Sequence, residues 1–430
     1  MLSQNPKYSV IVPARNGVKY LPTCVESIIG QDFDDYELIL SDDHSTDETF
    51  KYIESLNHPN IKKVTPPQGL SMAEHWGWAM DQSIGDWLIF VGQDDGLQPY
   101  FFRLAEILTK EADRKKLRTI MSKRAYFFWP GCDALYGNTA ISFNAINEIK
   151  ILNSKFQSLR ALLGIQTYFE LPEMYTTSIF SRKIIDEVKS IQNGKVFLAH
   201  PQDANLAAIA CSLDSHYLKC MIPLGWVGSS PKSAGLAVMS TTGSKINPDA
   251  EADLIAVKAD YLNKTTKSAI KNNPLAGDFS LGSFPIYFWG ALLQTEILRS
   301  FWINKFLKSN LFKSLMFSSV MYEIESSINF NVGKRMVYFF ELIKINNCDL
   351  HRIIIFKNNI FPNIKRLDRY FSILLDFPIR IKNRFGFKKV KSISLYKNWE
   401  EDKNISMNSA SQVVDALMKD NNMLELVKRY

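Results

Sequence analysis

The first hundred residues alternate between short apolar runs and helical patterns, and that alternation leaves few folds open. "YSVIV" (Tyr8 to Val12) is a β-branched run ended by Pro13. "YLPTCVESIIGQ" follows with apolar residues at helical spacing up to Gly30, a plausible helix stop. The pattern repeats: "YELILS" predicts a second strand, "STDETFKYIESL" a helix with Ser45 or Thr46 as cap, and "IKKVT" a third strand. "SMAEHWGWAMDQSI" predicts a third helix and "DWLIFVG" a fourth strand. Strands alternating with helices of this length predict right-handed βαβ units on a mostly parallel, doubly wound sheet. The chain has 430 residues, 46% hydrophobic and 22% charged, which supports a folded protein and favours two domains over one.

Ligands of an open α/β sheet bind beyond the carboxyl ends of its strands. Read at those positions, the chain gives a short list. The first strand ends in "VPARN", the second in "SDDHSTD" and the fourth in "GQDDG", so that two of the ends carry adjacent carboxylates, Asp42 with Asp43 and Asp94 with Asp95. Like charges this close raise one another's pKa unless something offsets them, and a divalent cation does so. Hard oxygen ligands select Mg²⁺ or Mn²⁺, and Mg²⁺ typically takes one or two carboxylates with substrate phosphates completing its shell. A P-loop and a G-x-G-x-x-G after the first strand are both missing, which argues against an NTPase and a dinucleotide-binding dehydrogenase. A helix cap is the simpler role for either acidic pair.

The run "VIVPARNGVKYLPTCVESIIGQDFDDYELILSDDHSTDET", followed by "GDWLIFVGQDDG", resembles the nucleotide-binding half of inverting family 2 type glycosyltransferases with the GT-A fold. The first-strand VP-x-x-N, the DD-x-STD loop and the acidic pair after an apolar strand match in order. The resemblance is clear over Tyr8 to Gly96 and weaker to about Gly235. It implies that Pro13, Asn16, Asp42 and Asp43 border the nucleoside, with Asp43 accepting from a uracil-like N–H, which favours a UDP-sugar as donor. It places Asp94 at the ribose and diphosphate, with Asp94 and Asp95 binding the metal. A later Asp serves as general base in such enzymes, and "HPQDANLAAIA" makes Asp203 the candidate; an ordinary N-cap is the alternative. The pattern departs from the family at Gly92, where an Asp often stands, at His44 in place of Gly, and at Glu74 and His75 in place of Arg and Asn. Lys232 is a candidate for the missing cation. A sugar-phosphate nucleotidyltransferase and a non-catalytic scaffold relative remain as alternatives.

Beyond Pro99 the signal is mixed. "RTIMS" and "TTSIFS" read as further strands, "ANLAAIACSL" as a helix, and "YLKCMIPLGWVG" as a strand running into the loop "GSSPKSAG", the expected edge of the first domain. The expected partition is a catalytic domain over 1–240 and a mainly helical domain over 241–430, in segments such as "ADLIAVKADYLNK", "YFFELIKIN" and "ASQVVDALMKDNNMLELVKRY". That second domain is expected to shape the acceptor site, form a homo-oligomer or touch membrane.

Between Asn331 and Leu395 fourteen Lys or Arg face four Asp or Glu, more than the whole chain's net +7. Such a segment suits an anionic membrane surface or simply water, and nucleic acid is not expected as a partner. The longest apolar run, "FPIYFWGALL", has about ten residues where about 20 are needed to span a bilayer. Five scattered cysteines without a C-x-x-C pair suggest buried thiols. The expected location is cytoplasmic, peripheral at the inner face of the membrane, with a glycan or lipid-linked acceptor.

Overall fold

In the computed structural model, the described residues are 5–132, 137–198, 201–231, 233, 283–326, 332–360, 362–364, 366–368 and 390–429. The expected alternation is present: β1 (Tyr8–Ala14), α1 (Leu21–Ile29), β2 (Tyr36–Asp42), α2 (Thr49–Ser55), β3 (Ile61–Val64), α3 (Met72–Asp81) and β4 (Trp87–Phe90). Strand β1 pairs in parallel with β2 on one side and β4 on the other, and β2 with β3. Every residue of β1 is buried, as expected of a central strand covered on both faces.

The two-residue period then sorts side chains between two helix layers. Val10, Val12, Leu38, Leu40 and Ile89 pack with Leu21, Val25 and Ile28 of α1 and with the following helix α4 (Phe101–Lys115). Ile11, Ile39, Leu88 and Phe90 face the other way, onto Ala73, Trp76 and Met80 of α3. The sheet's β3 edge carries Lys62 and Lys63, which discourage pairing with another chain.

After α4 come β6 (Thr119–Ser122), β7 (Ala125–Phe128), β8 (Thr139–Ile146) and β9 (Glu148–Asn153); a short β5 (Gly96–Leu97) precedes α4. Next are α5 (Ser154–Leu162), β10 (Ser178–Ser181), α6 (Arg182–Ile191), α7 (Gln202–Leu213), β11 (His216–Cys220) and β12 (Gly225–Ser229). The expected strands at "RTIMS" and "TTSIFS" are β6 and β10, and the expected helix is α7. With β13 (Ser392–Asn398) and β14 (Val427–Arg429) from the C-terminal residues, a nine-stranded sheet runs β14-β9-β11-β6-β10-β4-β1-β2-β3, and a five-stranded one runs β13-β8-β7-β12-β5. The parallel α/β core with antiparallel additions is the GT-A type of architecture, and a mainly helical region follows it.

That region contains α8 (Phe284–Gln294), α9 (Phe301–Leu307), α10 (Asn310–Glu325), α11 (Val332–Ile345) and α12 (Leu350–Ile355). Helix α7 joins it to the sheet. Its Leu206 and Ile209 belong to the core under β4, whereas its Ala204, Ala207 and Ala208 meet Phe288, Trp289 and Leu292 of α8. Small alanines on that side admit the bulky rings opposite. No helix among the described residues is long and apolar enough to cross a membrane.

The last forty residues depart from the helical expectation. β13 (Ser392–Asn398) pairs with β8, helix α13 (Met407–Asp420) packs on the main core through Met407, Val414 and Met418, and β14 (Val427–Arg429) pairs with β9. "NNMLELVKRY" therefore ends in a strand rather than continuing the helix. The expected boundary near 240, the helix "ADLIAVKADYLNK" and most of the basic stretch from Lys365 lie outside the described residues.

Candidate active site

Two parallel strands, β2 and β4, deliver the acidic pairs to one edge of the sheet on either side of β1. Asp42 is opposite Ala14 in register, and the Asp43 amide donates to the Ala14 carbonyl at 2.9 Å. The Asp43 carboxylate, 1% exposed, accepts from Arg15 Nη1 at 2.8 Å. Asp42 accepts the Ser45 amide through Oδ2 at 3.1 Å, while its buried Oδ1 has no hydrogen-bond partner among the described residues. Neither aspartate caps α2, whose N-cap position is Glu48. Ser45 and Thr46 do not cap it either: the Ser45 hydroxyl accepts the Asn16 amide, and Thr46 donates to Asn16 Oδ1 from its amide at 2.7 Å. Asn16 thus ties the first loop to the second, in the left-handed conformation (φ 49°) that Asn tolerates. Pro13 lies where its missing N–H does no harm, because pairing of β1 with β4 stops at Ile11.

His44 is also left-handed (φ 52°), which gives a reason for glycine at this place, and its Nε2 lies 2.8 Å from the Pro66 carbonyl. Glu74 and His75 have structural partners: Glu74 closes a capping box with Ser71 at the start of α3, and His75 Nε2 lies 2.8 Å from Ser41 Oγ. Burial pushes the His75 imidazole down to about 4, so it is neutral at pH 7.

The fourth strand end is built more tightly than its sequence suggests. Gln93 Oε1 accepts the Arg15 amide at 2.9 Å and its Nε2 donates to the Arg15 carbonyl at 3.1 Å, locking the β4 loop to the β1 loop. Asp95 accepts the Gly92 amide on Oδ2 at 2.8 Å and the Gly228 amide on Oδ1 at 2.7 Å. A Cβ on Gly92 would lie 2.8 Å from Asp95 Oδ2, and one on Gly228 would lie 1.7 Å from the Asp94 carbonyl oxygen. The glycine that replaces the family's upstream Asp is thus the residue that lets Asp95 fold back on its own loop. Asp94 Oδ2 accepts the hydroxyls of Ser230 at 2.7 Å and Ser233 at 2.6 Å, and its carbonyl accepts Trp129 Nε1 at 2.9 Å. Ser230 and Ser233 of the "GSSPKSAG" stretch, expected as a domain edge, are therefore part of the site. Lys232 lies outside the described residues.

Burial, then the neighbouring charge of Asp94, raises the Asp95 carboxyl to about 8; burial also raises Asp94, opposed by the two serine hydroxyls. A pair of hard oxygen donors that burial disfavours as anions fits a divalent cation. Among the described residues no three His, Cys, Asp or Glu side chains converge on a metal-sized site, so such an ion would need further ligands from water or phosphate.

Asp203 is the second position of α7, whose N-cap is Pro201, so it is a first-turn residue and not the cap. Its Oδ1 accepts the Ala204 amide at 2.7 Å and its Oδ2 accepts the Tyr168 hydroxyl at 3.0 Å. Beside it lies a pair that the sequence did not reveal. Arg124 Nη2 bonds Glu173 Oε1 at 2.6 Å, and the guanidinium stacks 3.7 Å from the centre of the Phe169 ring. Burial lifts the Glu173 carboxyl to about 7 against the pull of Arg124. Tyr175, held at φ 69°, has its hydroxyl raised by burial and then by the charges of Asp203, Asp95, Glu173 and Asp94. Its backbone strain marks it as a site residue that no sequence pattern signalled.

The family described as Glycosyl transferase family 2 matches residues 9–128. Over 97 residues the chain is 38% identical to a PGL/p-HBAD biosynthesis glycosyltransferase of Mycobacterium tuberculosis, covering 21% of this chain and 37% of that one. Also over 97 residues, it is 35% identical to the GalNAc(5)-diNAcBac-PP-undecaprenol beta-1,3-glucosyltransferase of Campylobacter jejuni, covering 21% of this chain and 31% of that one. The matches thus span little more than a third of these relatives at most. Residues 1–349 of S. aureus TarS, crystallised with UDP, align with 78% of this chain and 92% of that one at 16% identity and a TM-score of 0.40. The resemblance carried by the strand ends thus recurs in the sequence comparison, where the family 2 match spans residues 9–128, less than a third of the chain.

Proposed function

We propose that this protein transfers a sugar from a nucleotide-sugar donor to an acceptor hydroxyl with inversion at the anomeric carbon. The observation that carries the reading is the joining of three strand ends, through Arg15–Asp43, Gln93 and the Asp94/Asp95 loop, beside a helix that presents Asp203. Asp43 and the unpartnered Asp42 Oδ1 offer acceptors to the base or ribose of the donor, with a UDP-sugar favoured. Asp94 and Asp95 are the residues that would hold Mg²⁺ or Mn²⁺, which when bound stabilises the departing diphosphate.

Asp203 takes the proton of the acceptor hydroxyl as that oxygen forms the new glycosidic bond; the bond to the donor phosphate breaks, and the nucleoside diphosphate leaves with its electron pair. The first-turn amides of α7 favour the carboxylate form that a base requires. A growing glycan or a lipid-linked saccharide is the class of acceptor, in polysaccharide or glycolipid synthesis. The test is a thermal-shift and hydrolysis screen of UDP-, GDP- and dTDP-sugars with Mn²⁺ on wild type, Asp94→Asn and Asp203→Asn. The reading expects a stabilising donor, weakened by Asp94→Asn, and a loss of transfer with donor binding kept in Asp203→Asn. Stabilisation by no nucleotide sugar overturns it.

A further inference from the structure

The most exposed aromatic surface among the described residues lies far from the strand-end chemistry in sequence, on the short helix α9. Phe301 is 69% exposed, Trp302 72% and Phe306 47%, with Ile297 at 64% and Leu311 at 53% on either side. At 3.6 residues per turn, positions 301, 302, 305 and 306 fall within one arc of about 140°. The opposite side of the helix is anchored: Leu307 is buried, and its carbonyl accepts Trp289 Nε1 at 3.1 Å. The arc is thus held outward by a fixed helix.

Its charge is one-sided. Lys305 Nζ lies 5.5 Å from the centre of the Trp302 ring and 6.0 Å from that of Phe301. Over 296–313 the lysines are Lys305, Lys308 and Lys313, and Glu296 is the single acid, already paired with Lys308; Arg299 turns inward onto Ser212 and Thr295. A second copy of this chain would bring like charge against like, whereas anionic headgroups bring the opposite sign. Trp and Phe suit the headgroup region, and a lysine lying along the rings can reach phosphate while its stem stays apolar.

We propose that the face formed by Phe301, Trp302, Lys305 and Phe306 docks on the surface of an anionic lipid bilayer. The contact is peripheral, with the rings inserted at headgroup depth and the lysine at the phosphates. It stands independently of the glycosyl-transfer reading, since it uses none of the strand-end residues.

The experiment is co-sedimentation of the full chain with phosphatidylcholine vesicles, with and without phosphatidylglycerol, at low and physiological salt. Binding is expected to need phosphatidylglycerol, to weaken with salt, and to fall about tenfold or more in Phe301→Ser/Trp302→Ser. Lys305→Glu lowers it in the same direction. Trp302→Phe retains binding but loses quenching of fluorescence by brominated lipid, which reads the insertion directly in a variant that keeps an aromatic ring. The proposal is overturned if wild type ignores phosphatidylglycerol vesicles, or if the double serine variant binds as well as wild type. It is equally overturned if these substitutions abolish self-association in solution while leaving vesicle binding unchanged, which would make the face an interface between copies.

Discussion

The backbone N–H of Gly228 donates to Oδ1 of Asp95 at 2.7 Å, joining two residues 133 positions apart. It makes the end of β12 a wall of the acidic site and explains why position 228 has no side chain. Gly228→Ala sets a Cβ against the Asp94 carbonyl, a backbone atom that cannot rotate away. The expected cost is about 1–3 kcal/mol of stability by denaturant unfolding, together with loss of donor-induced stabilisation. Wild-type behaviour in both would show that the clamp is dispensable.

The acidic site also sets a pH dependence. Asp95 rises from 3.8 to about 8 on folding, and Glu173 from 4.5 to about 7. The folded protein therefore keeps protons that the unfolded chain has released, so stability is greatest below the unfolded pKa values and declines as pH rises from about 4 to about 8. The slope approaches about 1.4 kcal/mol per pH unit for each proton so retained. Urea titrations from acid to mild alkali should show this decline, and Mn²⁺ should flatten it; a stability that climbs across that window contradicts the assignment.

Arg124 and Glu173 form a buried pair, the carboxylate fully inaccessible and the guanidinium side chain 11% exposed. Removing one partner leaves a buried charge, so Arg124→Met or Glu173→Leu alone should cost about 3–5 kcal/mol. The double variant should recover much of that loss. Additive costs in a double-mutant cycle would show that the two charges do not depend on one another.

Trp226 Nε1 donates to Ser411 Oγ at 2.8 Å, fastening α13 beneath the strand that carries Gly228. Ser411→Ala leaves a buried indole N–H unpaired and should cost about 1–3 kcal/mol. A chain ending before residue 392 loses Met407, Val414 and Met418 from the main core and should fail to fold cooperatively. A cooperative melt of that truncated chain, seen by circular dichroism, would refute the dependence.

The local periodicity of the first hundred residues determined β1 to β4 and α1 to α3, because each apolar run matched the period of the element it forms. It also determined that the strand ends are acidic. Local signals could not determine which distant groups those acids meet. Nothing near Asp95 announces Gly228, nothing near Asp94 announces Ser230 and Ser233, and Arg124 and Glu173 are 49 residues apart. Asp42, Asp43 and Asp203 each had a capping role open to them in sequence, and the tertiary structure placed none of them at an N-cap. The return of the C-terminal residues to both sheets was equally hidden, since a short strand such as "VKR" acquires its identity from the partner it pairs with. Sequence thus set the elements and the chemistry at their ends, whereas long-range packing decided which of those groups share a buried environment, and with it their charge.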